Sequence, residues 1–275
     1  MAAIEPQLPR AVDLDERWTP RPFPREELLR GLLDGGMAGV VSHPMDNVLW
    51  KIGLLCDGDP MSQFGLTGVD RMTRGEVLEL VARASGFEPD PRVRTGPVRV
   101  AAERILSSCQ EAGRRLASAC ERGESIILAT GHPTGPIMLY VELGQLLSRQ
   151  GVTVLKPRDG FSWNESDRDR RQIRYLHGVA VLTDRAAALH THSATPMEMM
   201  LEECRPDLVF ADHGFAGGAI ERGIDTISIA DVNDPALLVA RAQGRANTVI
   251  VMDDNVQPEA YWPCFQAMAA LIPGS

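Results

Sequence analysis

Lysine is almost missing from this chain: Lys51 and Lys156 are the only two, and arginine carries the rest of the basic charge. That bias is a compositional mark of a GC-rich coding sequence. Basic residues number 28 against 37 acidic, for a formal net charge of −9 and a pI near 5.2. Such a balance argues against nucleic-acid or anionic-membrane partners. A small anionic metabolite stays open as a partner, because one local cationic patch can hold it. No apolar run approaches the roughly 18 residues of a membrane span. The five cysteines, Cys56, Cys109, Cys120, Cys204 and Cys264, show no CxxC spacing, so thiols in a reducing compartment are expected rather than a disulfide frame. The first ten residues lack a basic segment leading into an apolar one. No secretory leader is therefore expected, and the expected location is cytoplasmic. Internal repeats, heptads, a Walker loop and a GxGxxG turn are also lacking.

What is present is a set of short apolar runs that stop at polar clusters. Leu208–Ala211 ends at Asp212-His213-Gly214, Ile227–Ala230 at Asp231-Val232-Asn233-Asp234, and Thr248–Met252 at Asp253-Asp254-Asn255. Runs of this length, rich in β-branched residues and bounded by turn signals, read as buried strands. Ile126–Ala129 and Val152–Leu155 read the same way, and helical stretches intervene at Pro136–Arg149 and Phe215–Arg222. Alternating strands and helices predict an α/β fold with a mostly parallel, Rossmann-like sheet and helices on both faces. In such sheets ligands gather outside the carboxyl ends of the strands.

Taken in order, residues 1–24 read as an extended arm carrying Pro6, Pro9, Pro20, Pro22 and Pro24. Residues 25–122 read as a helical lobe, and residues 123–275 as the α/β core, the two forming one compact unit. Thr73 and Glu76 are spaced as a capping box. Pro44 opens a helix that places Asp46 and Asn47 in its first turn, where Asp46 also complements the helix dipole. The charged run Asp159–Arg174 reads as a lid-like insertion. Val179–Thr183 and Ala187–His190 read as short strands around Asp184-Arg185, a candidate hairpin. His190 and His192, two apart, would share one side of a strand, which suits a metal pair or a proton shuttle.

The chemistry follows from the strand ends. Asp212, Asp231, Asn233, Asp253, Asp254 and Asn255, joined by Asp46, offer hard oxygen ligands, which suit Mg²⁺ or Mn²⁺ better than Zn²⁺. Several carboxylates at one sheet edge repel one another unless a cation or a shared proton relieves them. The loop Thr130-Gly131-His132-Pro133-Thr134-Gly135 joins a strand to a helix and can present backbone N–H groups to an anion. Thr130, Gly131, Thr134, Gly135, Lys156, Asn47, His190 and His192 are the candidate substrate contacts. Asp212, His213 and His132 are the candidate catalytic groups, the histidines handling protons. Asp234, followed by Pro235, reads first as a helix N-cap.

Six spaced motifs resemble a family of actinobacterial proteins called phosphatases. They are Thr130-Gly-His-Pro-Thr-Gly, Arg174-Tyr-Leu-His-Gly-Val-Ala, His190-Thr-His-Ser, Ala211-Asp-His-Gly-Phe-Ala-Gly, Ala230-Asp-Val-Asn-Asp-Pro-Ala-Leu and Asp253-Asp-Asn-Val. More distantly, the layout is similar to metal-dependent carbohydrate phosphatases of the DUF89 type, which join a helical lobe to an α/β core with Asp/Asn metal ligands. The resemblance implies phosphatase activity on small phosphorylated metabolites. The chain departs from the family pattern at Met45, where an arginine is usual, and at His177-Gly178.

The expectation is a metal-dependent phosphatase of a small phosphorylated metabolite. Two alternatives stay open: a lyase, cyclase or isomerase acting on a small carboxylate, and a non-catalytic ligand-binding protein. Homo-oligomerisation is left open.

Overall fold

The computed structural model describes residues 14–90, 92–166 and 169–274. The first part of the expected arm, residues 1–13, lies outside them, as do Asp167 and Arg168 of the charged run. The described residues open with helices α1 (Leu14–Trp18) and α2 (Arg25–Asp34), strand β1 (Gly39–Val40), helices α3 (Met45–Cys56), α4 (Pro60–Gln63) and α5 (Arg74–Ser85), strand β2 (Arg99–Val100) and helix α6 (Ala102–Arg122). Then follow β3 (Ser125–Thr130), α7 (Ile137–Arg149), β4 (Thr153–Val154), β5 (Ser162–Asn164), β6 (Arg170–Leu176), β7 (Val179–Asp184) and β8 (Ala187–Ala188). The last third alternates as α8 (Thr195–Glu203), β9 (Leu208–Asp212), α9 (His213–Glu221), β10 (Thr226–Asp231), α10 (Ala236–Ala242) and β11 (Thr248–Met252), and ends in α11 (Trp262–Ala269).

Nine strands form one mixed sheet in the order β11-β10-β9-β3-β7-β6-β5, with β4 paired to the start of β3 and β8 to β7. The half from β11 to β7 is parallel, and β9, β10 and β11 are buried at every position. Burial on both faces is what a parallel sheet between helices requires, and it explains their unbroken apolar runs. From β3 the chain moves to β4 on one side; by β9 it has returned to the other, and it then steps outward to β11. Right-handed crossovers in opposite directions place α7 on one face and α9 and α10 on the other. The crevice between the carboxyl ends of β3 and β9 is thus the topological switch point.

The charged run expected as a lid joins the sheet instead. Strands β5 and β6 pair antiparallel, Trp163 opposite Arg171, and β6 pairs with β7. Ile173 is buried and Arg170 and Arg174 are exposed, while Arg171, on the Ile173 side, is half-buried and pairs with Glu165 and Asp184, as in an ordinary edge hairpin. The hairpin of β7 and β8 turns through Arg185, whose φ is +53°.

The described part of the arm is fastened to α11. The Gln266 amide donates to the carbonyls of Arg17 and Thr19 at 2.7 and 2.8 Å, and the Trp18 ring packs 5.4 Å from that of Phe265. One buried apolar cluster runs from Trp18 through the helices and the sheet to Ile272. Thr73 and Glu76 make the expected capping box of α5. No helix among the described residues is long and apolar enough to cross a membrane.

Helix α6 buries Ile105, Cys109, Ala112, Gly113 and Leu116 on one stripe. At Gly113 an added Cβ would stand 2.8 Å from the Met268 carbonyl oxygen. Gly113→Ala is therefore expected to destabilise the protein by about 1–3 kcal/mol through overpacking. Gly75→Ala, where a Cβ meets nothing within 4 Å, is expected to gain up to about 1 kcal/mol of helix propensity. Urea unfolding of both variants checks the contrast; equal effects would disprove the tight α6–α11 contact.

Candidate metal centre at the strand ends

The hub of the site is Asp212, the last residue of β9 and fully buried. One carboxylate oxygen accepts the Gly131 N–H at 2.7 Å and faces His213 Nδ1 at 2.9 Å; the other accepts the Tyr140 hydroxyl at 3.1 Å. These contacts tie together β3, α7 and β9, and they turn His213 Nε2 outward from the carboxylate. His213 pays with a left-handed backbone, φ +45°, an uncommon conformation for a residue with a side chain and one that marks a constrained position.

Glycines in the two flanking motifs allow a third segment to lie against this hub. A Cβ on Gly131 would collide with the Thr191 carbonyl, and one on Gly214 with the backbone of His192 and Ser193. The segment His190–Ser193 therefore settles onto β3 and α9, held by Thr191 N–H to the Gly131 carbonyl at 2.8 Å. This brings His190 Nε2 to 3.4 Å from His213 Nε2. The His192 ring centre lies 5.0 Å from that of His213, and His132 stacks on His190 at 4.8 Å. Ligand atoms of His190, His192 and His213 all lie within 4.8 Å of one another.

The neighbouring strand ends supply carboxylates. His43, Asp231 and Asp253 form a second group with ligand atoms within 4.8 Å of one another. His43 Nε2 is 3.1 Å from Asp231, and the Ser42 N–H donates to Asp253 at 2.6 Å. Asp254 adjoins both groups: it lies 3.9 Å from His213 Nε2 and 3.3 Å from His132 Nδ1, and its carboxyl meets that of Asp231. Asp234, expected to cap a helix, does not: Pro235 holds the N-cap position of α10. The Asp234 carboxylate instead pairs with Lys51 at 2.9 Å and lies 3.8 Å from His213 Nε2.

The electrostatics are those of a site that wants a cation. Burial, reinforced by the Asp231 carboxylate, pushes the Asp254 pKa well above the usual carboxylate range. Burial would depress His213, but the Asp212 hydrogen bond and the carboxylates of Asp254, Asp212 and Asp234 lift it to about 9. Burial and the facing His213 and His132 rings lower His190 to about 4, and burial with His213 lowers His192. Both are therefore neutral imidazoles near pH 7, the form that binds metals. The buried Asp254 Oδ2 and His132 Nδ1 have no hydrogen-bond partner. Unpartnered ligand atoms among five buried aspartates (Asp212, Asp231, Asp234, Asp253 and Asp254) fit a divalent cation.

Other candidate residues occupy different places. Three N–H groups of the Thr130–Gly135 loop are spent internally: Gly131 on Asp212, His132 on the Thr130 hydroxyl and Gly135 on the His132 carbonyl. The loop organises the hub rather than cradling an anion with these groups. Thr134 is exposed. Lys156 is also exposed and lines a surface hollow with Arg149 and His177. Its strand, β4, pairs only with the first residues of β3 and so exits short of the site. Asp46 is exposed on the outer face of α3, whereas Asn47 accepts from the Asn233 amide at 2.8 Å. The Asn255 N–H donates to Asp253, and its side chain is exposed. Met45 is buried in the core. His43 and Lys51 were missed among the candidates. Lys51 follows Asn47 by one helical turn, the spacing that puts both on one face of α3.

Comparison with known proteins agrees with the motifs. The family described as Phosphatase matches residues 23–270. The phosphatase SCO2771 of Streptomyces coelicolor is 33% identical over 245 residues, which cover 86% of this chain and 92% of that protein. No solved structure matches.

A raised histidine pKa stabilises the folded state fully below the unfolded value of about 6.5 and loses that contribution as pH climbs through the folded value. The metal-free protein is therefore expected to lose stability between about pH 6.5 and 9, the window set by His213. Unfolding midpoints measured in chelator should fall across this window for the wild type and change less for His213→Gln. Parallel curves would show that His213 does not carry the effect.

Proposed function

Because the chain belongs to the Phosphatase family, we propose that it is a metal-dependent phosphoric monoester hydrolase acting on a small anionic metabolite. The observation that carries the reading is the convergence of His43, His132, His190, His192 and His213 with buried aspartates at the switch point, where Asp254 Oδ2 has no partner. All histidines except His177 are gathered there.

His190, His192 and His213 would hold one ion, and His43, Asp231 and Asp253 a second, with Asp254 between them. This mixed imidazole and carboxylate set favours Mn²⁺ over Mg²⁺ and also admits Zn²⁺ or Fe²⁺. Bound there, divalent ions would polarise the phosphoryl group and lower the pKa of a bound water. The protein's own groups do the rest. Asp212, through the Nδ1 contact, orients His213 and sets its tautomer, the service a carboxylate renders to a ligating imidazole. Lys51, which balances Asp234, would meet a phosphate oxygen. His132, beside Asp254, would deliver a proton to the leaving alkoxide.

Purified protein loaded with Mn²⁺, Zn²⁺ or Mg²⁺ should release phosphate from a panel of small phosphomonoesters and stop in EDTA. Asp254→Asn should lower kcat/KM by about a hundredfold or more, and Asp212→Asn by about 10–100-fold. Full activity in chelator, or an Asp231→Asn/Asp254→Asn double variant with wild-type kcat, would sink the proposal. Metal-dependent thermal shifts without turnover on any phosphoester would favour a ligand-binding role instead.

A further inference from the structure

At the β11 edge of the sheet, α5, α6 and α10 line an open hollow of about 700 Å³ that shares no residue with the metal centre. Each helix contributes residues one turn apart, the spacing that lines up a single face. Helix α5 presents Arg83, helix α6 presents Arg104 and Arg114, and helix α10 presents Arg241. Between them stand small side chains, Ala84, Ser107, Ser108 and Ala242, and it is their size that leaves the space open. The floor is apolar: Leu238 and Val249 are buried beneath it, at 6% and 1% exposure.

The charge of this cavity runs against that of the protein. A chain of net charge −9 here sets four arginines against one acid, Glu111. Glu111 is already committed: it pairs with Arg241 at 3.1 Å and accepts from the Thr248 hydroxyl at 3.2 Å. Arg83, Arg104 and Arg114 make no ion pair with the described residues. Arg83, Arg104 and Arg114 are exposed along the rim of the hollow, and an anion bound there gains from the positive potential they share. Arginine suits such a place twice over, since its planar fork grips phosphate or carboxylate oxygens while its face stacks on planar rings. A purely solvated arginine face would need neither a hollow nor an apolar floor. The volume lies within the range of small-ligand pockets.

We propose that this cavity is a second binding site, separate from the metal centre, for a small organic phosphate with a planar or apolar body. The phosphate would meet Arg83, Arg104 and Arg114 at the rim, and the body would lie over Leu238 and Val249. Nothing in this assignment depends on the phosphatase reading of the strand ends.

The test is calorimetric titration of AMP, flavin mononucleotide and pyridoxal phosphate into the full chain in EDTA, which removes metal-dependent binding and turnover at the strand ends. At least one of the three should bind, and bind more tightly than inorganic phosphate. An Arg104→Ala/Arg114→Ala double variant should weaken that binding by tenfold or more, equivalent to about 1.4 kcal/mol. Ala242→Trp, a change at an exposed position, should block it by filling the hollow from its rim. Neither variant should alter metal-dependent phosphomonoester hydrolysis. No binding of any of the three probes, unchanged affinity in both variants, or inorganic phosphate binding as tightly as the organic phosphates would overturn the proposal.

Discussion

Buried carboxylates in one place are the constraint on which the site depends. Two unit charges 4 Å apart repel by about 4 kcal/mol at the effective dielectric of a protein. Asp212, Asp231, Asp234, Asp253 and Asp254 are all nearly or fully buried at adjoining strand ends. The protein answers each of them differently. Asp212 is saturated by Gly131, Tyr140 and His213, Asp234 by Lys51, and Asp253 by the backbone of Ser42 and Asn255. Asp231 leans on His43. Asp254 keeps a buried oxygen without a hydrogen-bond partner, and burial together with the neighbouring Asp231 carboxylate raises its pKa.

That constraint reaches outward into the fold. Asp212 can accept from Gly131 only because β3 and β9 are neighbours in register, Ala129 beside Ala211. It can accept from Tyr140 only because α7 crosses that face. The glycines of the two flanking motifs then let His190–Ser193 lie on the hub, which closes the histidine cluster. Removing any one of these close approaches would displace a ligand-bearing segment, so the backbone packing and the chemistry of the site are a single arrangement.

Legibility from the residue order was uneven, for identifiable reasons. Strands β3, β9, β10 and β11 were visible because burial on both faces leaves an uninterrupted apolar run. The α5 capping box was visible because Thr73 and Glu76 are local partners. The run Asp159–Arg174 misled because its charges outnumber its apolar residues, although Ile173, with Tyr175 beyond it on the same face, anchors β6 to the core. Asp234 misled because an aspartate before proline has the local form of a helix cap, while its partner Lys51 is distant in the chain. Lys156 looked like an anion ligand at a strand exit, and the short pairing of β4 leaves it outside. Arg104 and Arg114 stand on an exposed face of α6, and only the approach of α5 and α10 makes them the rim of a hollow.

By itself the sequence determined the α/β class, the strand ends that carry polar clusters and the family to which the chain belongs. These follow from local properties: periodicity, turn chemistry and motif order. The tertiary structure decided which of those polar residues share a site and what each one touches. Sheet order set it, by placing β3 between β7 and β9 and so joining His132, His190 and His213 from distant parts of the chain. Residue order contains no direct record of that neighbourhood, because it arises from burying both faces of the sheet at once.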